Sequence, residues 1–201
     1  MVELHQEFKV LETKRLILRE MALYDVDDLF EVLSDPKAMQ FYPQPFDRQM
    51  TQTWIERNVQ RYAQYGFGLW GLILKQTGKL IGDCGLVVQE VDGVEEIEIG
   101  YHVHRDLWRK GLATEAAQAV RDFGFIQLGF DKLISLINPA NIASRRVAEK
   151  NGMRLLKEIE WRNKPTCVYA IERSYYTGLS FLNPKNVGFP YVNPTYDFSI
   201  N

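Results

Sequence analysis

The stretch LWRKGLATEA at residues 107–116 places two cationic side chains and a glycine directly before a segment with helical spacing. Gly111 has no Cβ, so a bulky group can approach its backbone closely. The first N–H groups of a helix starting there have no partner within the helix, and the positive end of the helix dipole lies at the same point. These donors, with Arg109 and Lys110, suit a phosphate group. The stretch alone also fits an ordinary turn before a helix, with a solvated Arg-Lys pair.

Hydrophobic spacing along the rest of the chain predicts strands and helices in a defined order. A strand at residues 11–19 and a short helix at residues 25–33 precede a proline-containing loop and a helix at residues 51–65. Three antiparallel strands then follow, with turns at residues 77–78 and 92–93. After the opening stretch come a helix, the strand KLISLIN, the short helix ASRRVAEKN and two closing strands. The pattern predicts an α+β fold, or a mixed α/β sheet.

Three other glycines satisfy the dinucleotide-binding spacing G-x-G-x-x-G, namely Gly66, Gly68 and Gly71. That motif requires a strand before it and a helix after it, because the pyrophosphate sits on the helix N-terminus. Here a helical pattern precedes the glycines and a strand pattern follows. We therefore interpret them as relieving crowding at a strand entrance. The phosphate-binding P-loop also fails, since Lys110 precedes its glycine.

Length and charge limit the class of protein. A chain of 201 residues can bury one substantial core, and we expect one domain at residues 1–173. The aromatic tail at residues 174–201 is expected to pack on this domain or on a second subunit, which makes a homodimer one of the outcomes. The net charge of −2 provides no broad basic field, so nucleic acid and acidic membranes are not the expected partners.

The length of the apolar runs indicates the cellular compartment, and the spacing of the cysteines indicates whether they form a metal site or a disulfide. The longest apolar runs are well short of the roughly 20 residues that cross a bilayer, and the first residues lack a signal-peptide pattern. We therefore expect a cytoplasmic protein. Cys84 and Cys167 lie far apart without paired spacing, which indicates neither a zinc site nor a disulfide framework.

Two longer stretches, IEIGYHVHRDLWRKGLATEAAQAVRDFGF and LISLINPANIASRRVAEKNGM, place several separate motifs in one order. They resemble the GCN5-related N-acetyltransferase (GNAT) superfamily and, within it, the ribosomal-protein amino-terminal acetyltransferases (the RimJ/RimL-like group). The resemblance covers roughly residues 11–173. It implies a GNAT fold of the α+β (mixed α/β) class, with a twisted, mostly antiparallel sheet of about seven strands flanked by about four helices. The family's fourth and fifth strands splay apart in such a sheet.

One position departs from the superfamily pattern. The loop usually opens with glutamine or arginine three residues before its glycine, where this chain has Trp108. Because the loop binds mainly through backbone amides, we still expect cofactor binding.

The resemblance implies acetyl-CoA as co-substrate and an amine as acceptor. It places the pyrophosphate on the loop and the pantetheine arm, like an added strand, against His102 and Val103. The Asn-x-x-Ser segment that follows the next strand would also meet the cofactor, although Asn141 and Ser144 also suit helix capping. The loop residues implied are Arg109, Lys110, Gly111, Leu112, Ala113 and Thr114, and the later ones are Asn138, Asn141, Ser144 and Arg145.

Acetyl transfer to an amine requires a base, a stabilised oxyanion and a proton for the thiolate. If the strand alternates regularly, Glu96, Glu98, His102 and His104 share one of its faces. Glu98 lies in the family's E-x-G position and is the predicted base, acting through water. Ser144 is the predicted proton donor to the thiolate, with Tyr101 as its rival, and a backbone amide near Val103 would bind the oxyanion.

Metal binding, nucleic-acid binding and a non-catalytic role are the other functions that these residues bring into question. His102 and His104 could bind a metal ion, but without a third ligand motif we predict no metal site. Arg145, Arg146 and Lys150 have the ordinary spacing of a solvated helix face rather than of a nucleic-acid interface. A module that kept the fold, binds acyl-CoA or a protein partner, and lacks turnover is the alternative to an enzyme. Acetyl-CoA binding without turnover would favour it.

Overall fold

The computed structural model describes residues 9–176 of the chain. Its helices and strands are, in chain order, β1 (Lys9–Glu12), β2 (Leu16–Arg19), α1 (Val26–Leu33), α2 (Arg48–Tyr65), β3 (Leu69–Leu74), β4 (Lys79–Val91), β5 (Val94–Val103), α3 (Leu112–Ile126), β6 (Lys132–Ile137), α4 (Ile142–Lys150), β7 (Arg154–Trp161) and β8 (Lys164–Glu172). The fold is α+β, as predicted, with eight strands in the described residues where about seven were expected.

All eight strands form one sheet in the order β1-β2-β3-β4-β5-β6-β8-β7. Every neighbouring pair is antiparallel except β5 and β6, which run parallel. A parallel pair needs a crossover connection, and α3 lies within that connection. The loop that precedes α3 therefore begins where β5 ends, at the central parallel pair of the sheet.

Two apolar cores cover the two faces of the sheet. Leu86 packs in a core with Val120 and Phe123 of α3, whereas its neighbour Val87 packs in a second core with Leu29 of α1 and Ile55 of α2. Successive residues of a strand point to opposite faces. Helix α3 thus covers one face, and α1 and α2 cover the other.

The segment predicted as one strand at residues 11–19 is two antiparallel strands, β1 and β2. Between them, Thr13 N–H donates to the Leu16 carbonyl oxygen over 2.9 Å, and Leu16 N–H donates to Thr13 Oγ1 over 3.0 Å. A threonine hydroxyl that bonds the backbone in this way closes a turn. The alternating pattern continues on both sides of the turn, which concealed the break.

The remaining elements agree closely with the predicted order. Helix α2 starts three residues before the predicted position, because Asp47 Oδ1 accepts from Met50 N–H over 2.7 Å as an N-cap. The two predicted hairpin turns are confirmed, with positive φ angles at Gly78, Asp92 and Gly93. Such angles are what tight hairpin turns require.

The three glycines with dinucleotide-binding spacing have structural roles. Gly66 ends α2 with a φ of 72°, and a Cβ at Gly68 would lie 2.7 Å from the Tyr62 ring. Gly71 lies within β3. The helix α2 precedes them and the strand β3 follows, as predicted, which is the reverse of the order in a dinucleotide-binding unit.

Within residues 9–176, none of the helices combines the length and the apolar character that a membrane span needs. The aromatic tail falls outside the described residues from position 177 onward. The boundary at residue 173 and the packing of the tail therefore stay predictions.

Candidate functional site

The loop between β5 and α3 has the backbone shape that the sequence predicted. Gly111 is the N-cap of α3, with a φ of 77°, and no side chain among residues 9–176 caps this helix start. Arg109 also has a positive φ, 64°, which is uncommon for a residue with a side chain. Arg109, Lys110 and Gly111 are exposed, whereas the Leu112 side chain is buried in the core and fixes the first turn. The start of α3 can therefore donate N–H groups to a bound anion.

The turn between β1 and β2, near the amino terminus, supports this loop. Arg15 Nη1 donates to the Lys110 carbonyl oxygen over 2.8 Å, and Arg15 Nε lies 2.6 Å from Glu115 Oε2. Thr13 Oγ1 donates to Glu115 Oε1 over 2.6 Å. Burial acts to raise the pKa of Glu115, but the hydrogen bonds from Thr13 and Arg15 outweigh it and lower that pKa. No local sequence pattern predicts this support, because about 100 residues separate the two segments.

Trp108, the residue that departs from the superfamily pattern, also has a structural role. Trp108 Nε1 donates to the Val103 carbonyl oxygen over 2.7 Å, and His104 N–H donates to the Ile81 carbonyl oxygen of β4 over 2.8 Å. The tryptophan thus ties the loop to the end of β5. The Val103 carbonyl already accepts one hydrogen bond, so a main-chain bond from Val103 to a pantetheine arm would use its N–H group or the second lone pair of that carbonyl.

Strands β5 and β6 separate beyond a single point of pairing. Their backbone pairing in the described residues is confined to Glu98 opposite Ile134, reinforced by a 2.9 Å bond from Ser135 Oγ to the Ile99 carbonyl oxygen. Further along, Tyr101 in β5 reaches across to α4, where its hydroxyl donates to the Ser144 carbonyl oxygen over 3.0 Å. The splay that the resemblance implied for the family's fourth and fifth strands is therefore present here between β5 and β6, whereas β4 and β5 of this chain are paired along their length. Glu98 lies where the splay begins.

The Glu98 carboxylate is held on both oxygens. Gln89 Nε2 donates to Oε2 over 2.7 Å, and Leu136 N–H donates to Oε1 over 3.3 Å. Burial raises the pKa of this carboxyl, against the lowering effects of those two bonds and of the Arg162 and His102 charges. A carboxyl with a raised pKa is a stronger base than an ordinary glutamate. The predicted base thus has a suitable environment, and its role stays a prediction.

Tyr101 and Ser144 lie together at the opening. The Ser144 hydroxyl makes no hydrogen bond to any of residues 9–176, while its backbone carbonyl receives the Tyr101 hydroxyl. Burial raises the pKa of Tyr101, so its hydroxyl keeps its proton at neutral pH. Both side chains can supply a proton to a thiolate, and the choice between them stays open.

The Asn-x-x-Ser segment builds the start of α4. Asn141 Oδ1 accepts from Ser144 N–H over 3.1 Å as the N-cap, and Asn138 Oδ1 accepts from Ala140 N–H over 2.9 Å. Arg145 turns towards β8, where its Nε donates to the Tyr169 hydroxyl over 3.0 Å. These residues have structural roles, and their predicted contact with the cofactor is untested.

We expect replacement of the Asn141 cap to separate its two roles. Asn141→Ala should lower the free energy of unfolding by about 1 kcal/mol, because the Ser144 N–H loses its acceptor. Asn141→Asp keeps an acceptor oxygen and should retain stability, yet its added charge should weaken acetyl-CoA binding if residue 141 contacts the cofactor. Urea denaturation and calorimetric titration measure the two effects. An equal loss of stability in both variants would contradict the capping role.

A family model described as an acetyltransferase (GNAT) domain matches residues 15–154, more than half of the chain. The chain belongs to the GNAT superfamily. The uncharacterized protein YkkB of Bacillus subtilis (strain 168) is 42% identical over 167 residues, which are 83% of this chain and 96% of YkkB. Because it belongs to this superfamily, the chain is an acetyl-CoA-dependent acetyltransferase.

Solved GNAT structures share this architecture. The crystal structure of a GNAT-family acetyltransferase from Bacillus anthracis superposes with a TM-score of 0.69 at 28% identity, covering 82% of this chain and 98% of that one. RimL, a ribosomal L7/L12 α-N-protein acetyltransferase solved in complex with coenzyme A, gives a TM-score of 0.68 at 16% identity, covering 82% and 98%. The second likeness concerns the fold alone, and the RimJ/RimL-like grouping is consistent with it.

His102 lies in β5 and His104 lies just beyond the end of that strand, so the predicted strand face does not reach His104. The two side chains make different contacts. His102 Nδ1 lies 2.7 Å from Asp83 Oδ1, and its Nε2 lies 2.8 Å from the Tyr42 hydroxyl. His104 Nδ1 instead accepts from Asp106 N–H over 3.3 Å. No group of three potential metal ligands occurs among residues 9–176. The sequence placed only the backbone of His102 at the cofactor and missed its side-chain partners.

The structure brings most predicted GNAT site residues to one region. The loop, the end of β5 and the start of α4 surround the opening between β5 and β6. On the shared face of β5, the Glu98 side chain bonds Gln89 and the His102 side chain bonds Asp83, both of β4. The Glu96 side chain instead pairs with Lys132. Sequence reasoning gave no site role to Arg15, Asp83, Gln89 and Glu115. Arg15 and Glu115 meet across 100 residues, whereas Asp83 and Gln89 meet His102 and Glu98 across the pairing of β4 with β5.

Proposed function

We propose that this enzyme transfers the acetyl group of acetyl-CoA to a primary amine by direct attack within a ternary complex. The amine belongs to a protein amino terminus or to a small molecule. The observation that carries the proposal is the uncapped start of α3 beside an opening in the sheet, with Glu98 at the closed end of that opening. We further propose a cytoplasmic enzyme that works on neither nucleic acid nor membranes, and the homodimer stays a prediction.

The residues of the opening fit the chemical groups of acetyl-CoA. N–H groups from Gly111 to Thr114 would bind the pyrophosphate, with Arg109 and Lys110 adding charge, and the edge of β5 at His102 and Val103 would receive the pantetheine arm. Asn138, Asn141, Ser144 and Arg145 would complete the site from α4. When bound, acetyl-CoA supplies an activated acetyl thioester.

The base has a defined energetic task. At neutral pH, an amine of the lysine type, with a pKa of about 10.4, must be deprotonated at a cost of roughly 4 to 5 kcal/mol, whereas an α-amine near 8 costs only about 1 kcal/mol. The Glu98 carboxylate would receive this proton through a bound water. A weak base suffices for an α-amine, and a lysine-type amine demands more from the site.

We expect calorimetric titration to show acetyl-CoA binding and thiol release to follow when an acceptor is present. The acceptor panel should contain peptides with free α-amines, peptides with only lysine amines, and small polyamines and aminosugars. Turnover with one class and not with the others would identify the acceptor. Binding without turnover across the panel would instead favour the non-catalytic module, and failure to bind would contradict the proposed loop.

A further inference from the structure

A buried carboxylate on β4 holds the His102 ring. Asp83 is 0% exposed, and its Oδ2 accepts from Trp54 Nε1 of α2 over 2.7 Å. Its other oxygen lies 2.7 Å from His102 Nδ1, directly across the strand pair. An ionised carboxylate can only accept hydrogen bonds. The proton of a neutral His102 ring therefore resides on Nδ1, and Nε2 is left as an acceptor.

Tyr42 connects this pair to the outside. Its hydroxyl lies 2.8 Å from His102 Nε2, so with Nδ1 protonated the tyrosine is the donor. Its ring packs 5.4 Å from the His102 ring and lies in residues 34–47, between α1 and α2. The residue is 37% exposed. An ordered path thus leads from the hydroxyl of a partly exposed tyrosine through an imidazole to a buried carboxylate.

The acceptor nitrogen loses two protons during the reaction, and the Glu98 carboxylate can take only one of them. An ammonium acceptor loses one proton before attack and a second when its nitrogen bonds to the acetyl carbon. One proton goes to the sulfur as the C–S bond breaks, supplied by Tyr101 or Ser144, which then regains a proton from water. Glu98 also returns its proton to water, so the net reaction releases one proton to solvent. Glu98 accounts for the first proton, which leaves the second without a named acceptor.

We propose that Tyr42, His102 and Asp83 form a relay that takes this second proton. As the N–C bond forms, the amine proton passes to the Tyr42 oxygen while the Tyr42 proton passes to His102 Nε2. The resulting imidazolium is stabilised by Asp83, which acts as a positioning residue, and the proton then returns to water through Tyr42. The relay rests on the proposed acetyl transfer to an amine.

The electrostatics of the two titrating groups suit this order of transfer. Burial of the Tyr42 hydroxyl, with the nearby Glu98 and Asp83 carboxylates, raises its pKa, so a separate phenolate is disfavoured and the two transfers are concerted. Burial acts to lower the pKa of His102, but Asp83 and Glu98 outweigh it and raise that pKa above 6.5. The uncharged Trp54 and Tyr42 are the other groups that face the ring. The relay needs neutral His102, so turnover should rise as pH increases through this pKa.

The test is turnover of Tyr42→Phe and His102→Asn with the best amine of the panel at saturating acetyl-CoA. We expect kcat to fall about tenfold in each, because water replaces the hydroxyl only poorly, with acetyl-CoA affinity within about twofold of the parent. His102→Asn keeps a donor for Asp83 and should lose the limb of the pH profile that His102 causes. Tyr175→Phe, at an exposed tyrosine, is the matched control. An unchanged kcat in Tyr42→Phe overturns the relay.

A second measurement separates the relay from the proposed function. Nitrogen-15 NMR of the histidine rings should show His102 as the Nδ1–H tautomer, titrating above 6.5, with the Nε2 shift altered in Tyr42→Phe. The Nε2–H tautomer would overturn the relay even if amines are acetylated. If no amine is acetylated, the proposed function and the relay both fail, whereas acetylation at an unchanged rate in Tyr42→Phe rejects the relay alone.

Discussion

Gly111→Val should weaken acetyl-CoA binding by at least tenfold and up to about a hundredfold. The native φ of 77° lies in a region that a β-branched residue rarely adopts. The added Cβ would lie 3.6 Å from Arg15 Nη2, on the exposed loop where the phosphate is proposed to bind. A hydrogen bond to a charged group contributes about 1.5–3 kcal/mol, and each 1.4 kcal/mol changes a dissociation constant by about tenfold. Displacing the phosphate from one such donor is enough for the expected loss. Calorimetric titration measures it directly.

The control for this variant is Gly78→Val in the turn between β3 and β4. Gly78 has a φ of 69°, and a Cβ there meets nothing within 4 Å. Both substitutions carry a similar backbone strain of about 1–3 kcal/mol, which urea denaturation will register. Only the change at Gly111 should alter acetyl-CoA affinity. Equal affinities in the two variants would show that the loop does not bind the cofactor through its backbone.

The loop could be predicted from sequence because its properties are local. A glycine, two cations and a helix start within a few residues define the backbone shape and the charge together. The same holds for the hairpin turns, where Gly78 and Gly93 have positive φ angles. The local pattern did not predict the break between β1 and β2, because the alternation of apolar and polar residues continues through the turn at Thr13.

The relay and the support of the loop could not be predicted in this way. Asp83 meets His102 because β4 and β5 pair in a particular register. If β5 were shifted by one residue along β4, the two side chains would lie on opposite faces of the sheet. Tyr42 reaches the ring from a loop with no periodic pattern. Arg15 meets Lys110 only after the sheet has formed. Each of these contacts joins residues from different elements of the fold, and the local pattern of a single sequence does not predict such contacts.

Glu98→Gln should lower kcat at pH 7 by about tenfold with an α-amine acceptor, and the deficit should largely disappear at pH 9. Only about a tenth of an amine with a pKa near 8 is neutral at pH 7, whereas most of it is neutral at pH 9, and this fraction sets the size of the loss. In the parent enzyme, the rate falls as pH drops through the raised pKa of Glu98, since the carboxyl becomes protonated. The variant lacks that group, so its rate follows the neutral fraction of the amine, which increases up to an amine pKa near 8.

Glu95→Gln, at an exposed position of the same strand, is the matched control and should leave kcat unchanged at both pH values. Gln89 and Leu136 both donate to residue 98, and glutamine offers one acceptor oxygen where glutamate offers two. Circular dichroism and acetyl-CoA titration therefore accompany the kinetics, to separate a lost base from a distorted opening. A deficit of the same size at pH 7 and pH 9, with intact binding, would assign Glu98 a structural role and direct the search for the first proton acceptor to His102.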